Sequence, residues 1–300
     1  MKFKLIGQEK LRTKKITLGH GKPVVTIVSG IHGDEKVGPT VLRLLVQRLK
    51  KINLKGTLKI IPVANIRAFR QKVRFISGDG GDLNRAFAKN RGGQKITPIT
   101  RLAKIIRREC AGAELVIDIH TLVRQSTIGL GLQFSEGQLA TRRKAGRLIK
   151  ASGVKAVWKV DPIKESWIKG SLVQSCLERG IPAFGLELAD RRKLTEDKIE
   201  SEVDLLVGVL KAAGLIEGGQ PVLSGPIPIF QRCQVRANKP GIFIPKRCVG
   251  TLTKRKEVVG LFNGDEVRSP RGGILLICRQ RGRVTEKEPL FTVGVKIGAL

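Results

Sequence analysis

Between Thr17 and Leu215 short apolar runs alternate with longer amphipathic ones, and few architectures accommodate that alternation. "VVTIVSG", from Val24, reads as a buried strand. "PTVLRLLVQRLKK" reads as a helix with Val41, Leu44, Leu45 and Leu49 on one face. "TLKIIPVAN" is the next strand. "TPITRLAKIIRREC" follows as a helix, with Thr97 as N-cap and Pro98 at its first position, where a missing N–H costs nothing. "ELVIDIHT" is a strand, and "GQLATRRKAGRLIKASG" and "GSLVQSCLERG" are helices that stop at glycine. "PAFGLEL" is a further strand and "TEDKIESEVDLLVGVLKAAG" a final helix. The expectation is an α/β fold: a mostly parallel or mixed sheet with helices on both faces.

The pattern changes after Leu215. "EGGQPVLSGPIP" reads as a Gly/Pro-rich linker, and beyond it "QVRAN", "GIFIP", "EVVGLF", "GGILLICR" and "LFTVGVKI" are short strand-like runs without helical period. Residues 1–218 are therefore expected to form the α/β domain, and residues 219–300 a small β-barrel or sandwich domain.

Open α/β sheets gather ligands at the carboxyl ends of their strands, near the point where strand order reverses. Four segments are expected at such ends: "GIHGDE", "ANIRAFRQKVRF", "DIHT" and "GLELAD"; "GDLNRAF" lies on the loop between the second and third. His32, Glu35 and His120 supply two imidazoles and a carboxylate, a donor set that suits one zinc ion with a water in the fourth position, though iron and nickel also accept imidazole. His20, the third histidine, precedes the first buried strand and is read as incidental. Asp118, two residues before His120 on one strand face, is placed to orient that imidazole.

A water activated in this way needs a base that later protonates the leaving nitrogen. Glu187 ends an apolar strand, where partial burial raises a carboxyl pKa; Asp190 is the nearby competitor. Arg85, with Asn84 beside it, is the candidate for gripping a substrate carboxylate with two parallel hydrogen bonds. Arg74 is the candidate for polarising the scissile carbonyl, with Arg67 and Arg70 as alternatives on the same loop. "SGDGGDLN" is glycine-rich but lacks the Lys-Ser/Thr of a phosphate-binding loop.

The matched pieces "GIHGDE", "VANIRAF" followed by Arg74, "DLNRAF", "IDIHT" and "GIPAFGLEL" run in order from about residue 25 to 190. Together they resemble the succinylglutamate desuccinylase/aspartoacylase family, relatives of the zinc carboxypeptidases. The resemblance implies zinc on His32, Glu35 and His120, and Glu187 as general acid/base. It implies Arg74 on the carbonyl and Asn84 with Arg85 on the substrate carboxylate. The implied activity is hydrolysis of an N-acyl amide to a carboxylate and a free amine. The chain departs from the family pattern in four places. Ile66 follows Asn65 where a proline is frequent, and the tyrosine that members often use is absent. Arg179 is the nearest match to another family arginine, and "ELAD" replaces a pattern with an early glycine. The C-terminal segment resembles the β domain that often follows the catalytic one. "VRSPRGGILL" with "EKEPLFTVG" also resembles lipoyl-like modules, but without their modifiable lysine, so a structural role is expected.

Composition bears on partners and compartment. With 57 Lys plus Arg against 25 Asp plus Glu the formal charge is +32, spread at similar density over both parts. Such a field attracts small anions and polyanions alike. Nucleic acid is therefore weighed as a partner, but aromatics are only 4% with no tyrosine, and the two "RGG" copies at Arg91 and Arg271 are isolated. The five cysteines form no CxxC pair, no apolar run reaches the roughly 20 residues of a membrane helix, and the first residues lack a leader's apolar core. A cytoplasmic protein with reduced thiols is expected. The leading expectation is a zinc-dependent deacylase acting on a small acidic N-acyl amino acid. A zinc carboxypeptidase acting on short peptides shares all three ligands. A nucleic-acid-binding protein on a degenerate hydrolase scaffold is the third reading.

Overall fold

The computed structural model describes residues 1–7, 12–88, 96–161, 165, 168–188, 195–218 and 226–300. The linker residues 219–225, Arg91 and Asp190 lie outside that description.

The strands of the first part are β1 (Lys2–Ile6), β2 (Thr13–His20), β3 (Val24–Ser29), β4 (Gly56–Ile61), β5 (Leu115–Thr121), β6 (Gln125–Thr127), β7 (Leu130–Phe134), β8 (Val157–Val160) and β9 (Ala183–Leu188). Its helices are α1 (Val37–Leu49), α2 (Ile66–Gln71), α3 (Pro98–Cys110), α4 (Leu139–Ala151), α5 (Leu172–Leu177) and α6 (Glu196–Ala212). The second part contributes β10 (Pro228–Arg236), β11 (Gly241–Pro245), β12 (Leu252–Thr253), β13 (Val258–Phe262), β14 (Asp265–Arg268), β15 (Gly273–Arg279), β16 (Gly282–Val284) and β17 (Pro289–Ala299).

One sheet runs through the molecule in the order β1-β2-β4-β3-β5-β9-β7-β8-β10-β17-β15-β12, with β6 added to β15. Its centre, β4-β3-β5-β9, is parallel, whereas β2 against β4 and β7 against β9 are antiparallel, so the sheet is mixed. Strand order reverses at β3: the chain leaves it through α1 to β4 on one side and later returns as β5 on the other. That is where α/β folds bind ligands.

Side chains alternate across the sheet and build two apolar layers. From β3, Val28 joins the layer of α3 and α5, with Ile99, Leu102, Ile106 and Val173. Val25 and Ile27 join the layer of α1, α4 and α6, with Leu45, Leu148 and Leu206. Helices therefore cover both faces. On α1 the buried face holds Val41, Leu45 and Leu49 as expected; Leu42 is also buried, while Leu44 is only partly covered. Each such leucine contributes about 1.5–3 kcal/mol of burial. Thr97 caps α3, accepting from the Thr100 amide, while Thr100 Oγ1 accepts from the Thr97 amide. No helix among the described residues is long and apolar enough to cross a membrane.

Among its described residues the second part forms strands and no α-helix, as its punctuation implies, but it is no detached barrel. β10 pairs in parallel with β8 (Ile229 with Val157, Phe230 with Trp158), extending the main sheet. β14, β13, β11 and β16 form a separate four-stranded sheet. Phe243, Val259, Phe262, Leu275, Phe291 and Val293 form a core of their own beneath it. The five cysteines are free thiols, with Cys110, Cys176 and Cys278 buried.

Candidate metal centre

β3 ends at Ser29, and the chain then makes a tight turn that carries His32 and Glu35 inward. Gly30 adopts φ +62°, and a Cβ there would lie 2.8 Å from Val63 Cα. Gly33 packs so closely on α2 that a Cβ would meet the Ala68 carbonyl carbon at 2.0 Å. The Ala64 and Asn65 amides donate to the carbonyls of Ser29 and Gly30, at 2.8 and 2.9 Å, tying the loops after β3 and β4 together. Asn65 caps α2 by accepting from the Ala68 amide at 3.2 Å. Ile66 thus takes the first helical position, where proline and other residues are equally tolerated. His120 comes from the end of β5, and Glu187 sits beside it in register on β9.

The fold brings His32, Glu35 and His120 together: one donor atom from each lies within 4.8 Å of the others, and all three residues are buried. Glu35 bridges the rings, with Oε1 2.6 Å from His32 Nδ1 and Oε2 3.0 Å from His120 Nδ1. Oε2 also accepts the Thr121 amide at 3.1 Å. Each opposite ring nitrogen faces another carboxylate. His32 Nε2 is 3.1 Å from Asp82 Oδ1, and His120 Nε2 is 3.1 Å from Asp118 Oδ2. An Nε2–H donated to those acids leaves both Nδ1 lone pairs aimed at Glu35. Two imidazole nitrogens and a carboxylate converging in a buried space, each ring steered by an acid, fit a zinc ion.

The electrostatics agree. Burial depresses the His120 imidazole, but Asp118 and Glu35 outweigh it and hold the ring well above its usual value. His32 is raised in the same way by Glu35 and Asp82 against burial. Burial pushes Glu35 and Asp82 upward, yet the histidines pull Glu35, and His32 with Arg74 and Arg85 pull Asp82, well below the ordinary carboxylate range.

Glu187 behaves differently. Burial and the neighbouring Glu35 push its carboxyl up to about 7, with His120 opposing. Its Oε2 is enclosed and has no hydrogen-bond partner among the described residues. Glu187 lines a cavity of about 210 Å³ together with His32, Glu35, His120, Arg74, Asn84 and Arg85. A wider basin of about 520 Å³ adjoins it at Glu35 and Arg74, lined also by Lys36, Lys72 and Arg124.

Among the three arginines of the loop after β4, Arg74 lines both cavities, 3.2 Å from Asp82 Oδ2 and 4.0 Å from Glu35 Oε1. Arg67 is ion-paired with the buried Asp79, and Arg70 points to solvent. Arg85 lines the inner cavity, with one amino group 2.6 Å from its neighbour's Asn84 carbonyl. Asn84 is doubly engaged, its Oδ1 accepting the Leu172 amide at 3.1 Å and its Nδ2 lying 3.2 Å from His120 Nε2. Arg179 is exposed and reaches the Arg107 carbonyl at 3.4 Å, outside both cavities. His20 is exposed, at the end of β2 and away from both cavities.

Several lining residues escape motif reading. Asp82, which holds the His32 ring, was legible only as the first residue of "DLNRAF". Arg232, Gln234 and Arg236 reach the inner cavity from alternate positions of β10. Their signal is the two-residue spacing of polar side chains in "QRCQVR".

The comparisons with known proteins point one way. The model of the succinylglutamate desuccinylase/aspartoacylase catalytic domain matches residues 22–213. Over 100 residues the chain is 31% identical to the N-alpha-acetyl-L-2,4-diaminobutyric acid deacetylase of Halomonas elongata, covering 33% of this chain and only 28% of that protein. Among solved structures, a succinylglutamate desuccinylase/aspartoacylase from Rhodobacter sphaeroides superposes with a TM-score of 0.79 at 22% identity, over 95% of this chain and 90% of that one. The product-bound ectoine utilization protein EutE (DoeB) of Ruegeria pomeroyi gives 0.80 at 20% identity, over 97% and 93%. An aspartoacylase family protein of Mesorhizobium loti gives 0.82 at 19%, over 96% and 90%. With the family model covering well over half of its length, the chain belongs to the succinylglutamate desuccinylase/aspartoacylase family.

Proposed function

We propose that this protein is a zinc-dependent hydrolase of the amide bond in a small N-acyl amino acid that carries a carboxylate. His32 and His120 through Nδ1, and Glu35 through its carboxylate, would hold one zinc ion. Bound there, the metal supplies Lewis acidity for the amide carbonyl and acidifies a water. Glu187 takes the proton of the attacking water on its carboxylate. As the carbon–nitrogen bond breaks it returns that proton to the leaving nitrogen, so the products are a carboxylate and an amine. Arg74 donates to the carbonyl oxygen as negative charge grows there. Arg85 holds the substrate carboxylate, with the Asn84 side chain beside it.

The observation that carries this reading is the Glu187 carboxylate, partnerless at Oε2 among the described residues and adjacent in register to His120. A structural carboxylate in so basic a chain would be expected to hold an arginine. The deacetylase named above hydrolyses an N-acetyl group by its name, which supports the reaction class. Residues 1–218 are proposed to carry the chemistry and residues 219–300 to complete the cavity wall. Metal analysis of the purified protein, with hydrolysis assays on N-acetyl amino acids before and after chelation, tests the reading. Equimolar zinc and chelator-sensitive hydrolysis are expected; hydrolysis indifferent to chelation overturns it.

A carboxypeptidase reading draws on one specific observation, the 520 Å³ basin on the far side of Arg74, which leaves room for more than an acetyl group. Parallel assay of short peptides separates the two. The basic field suits an anionic substrate in either case, and a polyanion partner finds no further support around the site.

A further inference from the structure

A cavity of about 480 Å³ lies between β1 and α3 and shares no lining residue with either cavity at the metal centre. On one side it is lined by the consecutive residues 4–7. Consecutive side chains of a strand point to opposite faces, so a cavity touched by each in turn runs along the main chain rather than over one face. β1 ends the main sheet and pairs only with β2, so its other edge has no strand partner among the described residues. The opposite wall is a stripe of α3. Arg101, Lys104, Ile105 and Arg108 recur at the i, i+3, i+4 and i+7 spacing that stacks side chains on one helix face. At about 1.5 Å per helical residue the stripe is about 10 Å long. Residues 4–7, in extended steps of about 3.3 Å, cover a similar length.

Charge and main chain together sort the occupants. Lys4, Arg101, Lys104 and Arg108 line the groove, and none is ion-paired among the described residues. The one acid of the lining, Glu109, is ion-paired with Lys15 at 2.7 Å. Leu5, 61% exposed, and the partly buried Ile105 add apolar surface. A second copy pairing through β1 would set Lys2 and Lys4 against like charges. A nucleic acid engages the cations but not the free main-chain edge. The exposed aromatic of the strand, Phe3, already holds Lys14 Nζ 4.2 Å from its ring centre, so it is no open stacking platform. An extended peptide engages both walls: its backbone continues the sheet, and acidic side chains on the face toward α3 meet the cations.

We propose that the groove between β1 and α3 is a docking site for an extended acidic segment of another protein. The segment adds to the free edge of β1 as a further strand and sets alternate carboxylates against Arg101, Lys104 and Arg108. Acidic residues alternating with apolar ones are the expected pattern, since Leu5 and Ile105 line the same groove. The site is independent of the hydrolase reading.

The probe is a fluorescent octapeptide of alternating glutamate and valine, blocked at both ends, titrated into the full chain and followed by anisotropy. Saturable binding is expected, and its lysine–valine counterpart is expected not to bind. Arg101→Glu with Arg108→Glu is expected to weaken the acidic peptide about tenfold or more, and Arg101→Lys with Arg108→Lys to change it less than about threefold. Both arginines are exposed, so thermal melts of both variants should match the unaltered chain. Two further octapeptides, one N-methylated on its glutamates and one on its valines, keep the charges and each lose the donors of one edge. One is expected to bind like the parent and the other about tenfold more weakly. No saturable binding, binding indifferent to the charge reversal, or equal affinity of the two methylated peptides overturns the proposal. So does an oligothymidylate, or self-association of the chain, that is lost on the same charge reversal while the peptide fails to bind.

Discussion

The α/β part and the C-terminal β part contribute to one cavity in opposite ways. The first delivers its side chains at strand ends: His32 after β3, Arg74 beyond β4, His120 near the end of β5, Glu187 late on β9. The second delivers Arg232, Gln234 and Arg236 from the body of β10 and Ile277 from β15. Strand ends release the backbone into turns that need particular residues, so chemistry there leaves compact motifs. Strand bodies impose only alternation, and any polar side chain of suitable length satisfies it. On the proposed reading the metal and proton chemistry falls to the first part, which also supplies most of the cavity wall, and the second part adds Arg232, Gln234, Arg236 and Ile277 to that wall.

The assignment breaks most readily at the ligands. Glu35→Ala or His120→Ala is expected to reduce zinc from about one per chain to near zero and to abolish hydrolysis, read by elemental analysis and assay. Retention of equimolar zinc by either variant would remove the metal centre from the first part. Glu187→Gln is expected to lower kcat about 10²–10⁴-fold with zinc content unchanged. A variant that loses zinc as well would mean that Glu187 is a ligand.

The steering acids come next. Asp82→Asn and Asp118→Asn each free one imidazole from its carboxylate and are expected to weaken zinc about 10–100-fold in competition with a chelator. For the second part, Gln234→Ala removes a side chain that donates to Thr292 Oγ1 at 3.3 Å on the cavity wall. It is expected to raise KM by about 2–10-fold, the worth of one hydrogen bond, without touching zinc content. Zinc loss in this variant would show that the two parts do not divide the work.

The smallest effect lies away from the cavity. Burial, with Glu178 and Asp161 nearby, pushes the Glu136 carboxyl up to about 7. A carboxyl whose folded pKa exceeds its unfolded value resists ionisation in the fold. Its stability contribution is therefore intact below about pH 4.5 and is lost as pH rises through 7. Allowing for solvent screening of a half-buried group, that loss is on the order of 1 kcal/mol. Thermal melts at pH 5 and pH 8 should show the decline in the unaltered protein and a flatter one in Glu136→Gln, with activity at fixed pH unchanged.

The same contrast explains what the sequence made legible. The strands β3, β4, β5 and β9 and the helices α1, α3, α4, α5 and α6 followed from periodicity and caps, because each buries a regular face or opens on a defined residue such as Thr97. The edge pair β1 and β2 did not, since β1 alternates lysine with exposed Phe3 and Leu5 and has no buried face to announce it. A mixed sheet was among the expectations, but which pairs run antiparallel was not legible: β7 against β9 is decided by a long connection rather than by either strand's composition. His32, Glu35, His120, Glu187 and Arg74 could be singled out because each falls in a short motif at or beyond a strand end. Asp82 was hidden inside such a motif, and the β10 residues were hidden by the anonymity of alternation.

The seam between β8 and β10 has a consequence for how the protein fails. It consists of two paired positions, and one of them, Trp158, is also a wall of the inner chamber. Warming that parts this short seam would distort the substrate space before it disturbs the imidazoles on the far side of β9. Inactivation should then begin as a loss of substrate affinity in molecules that still retain their ion.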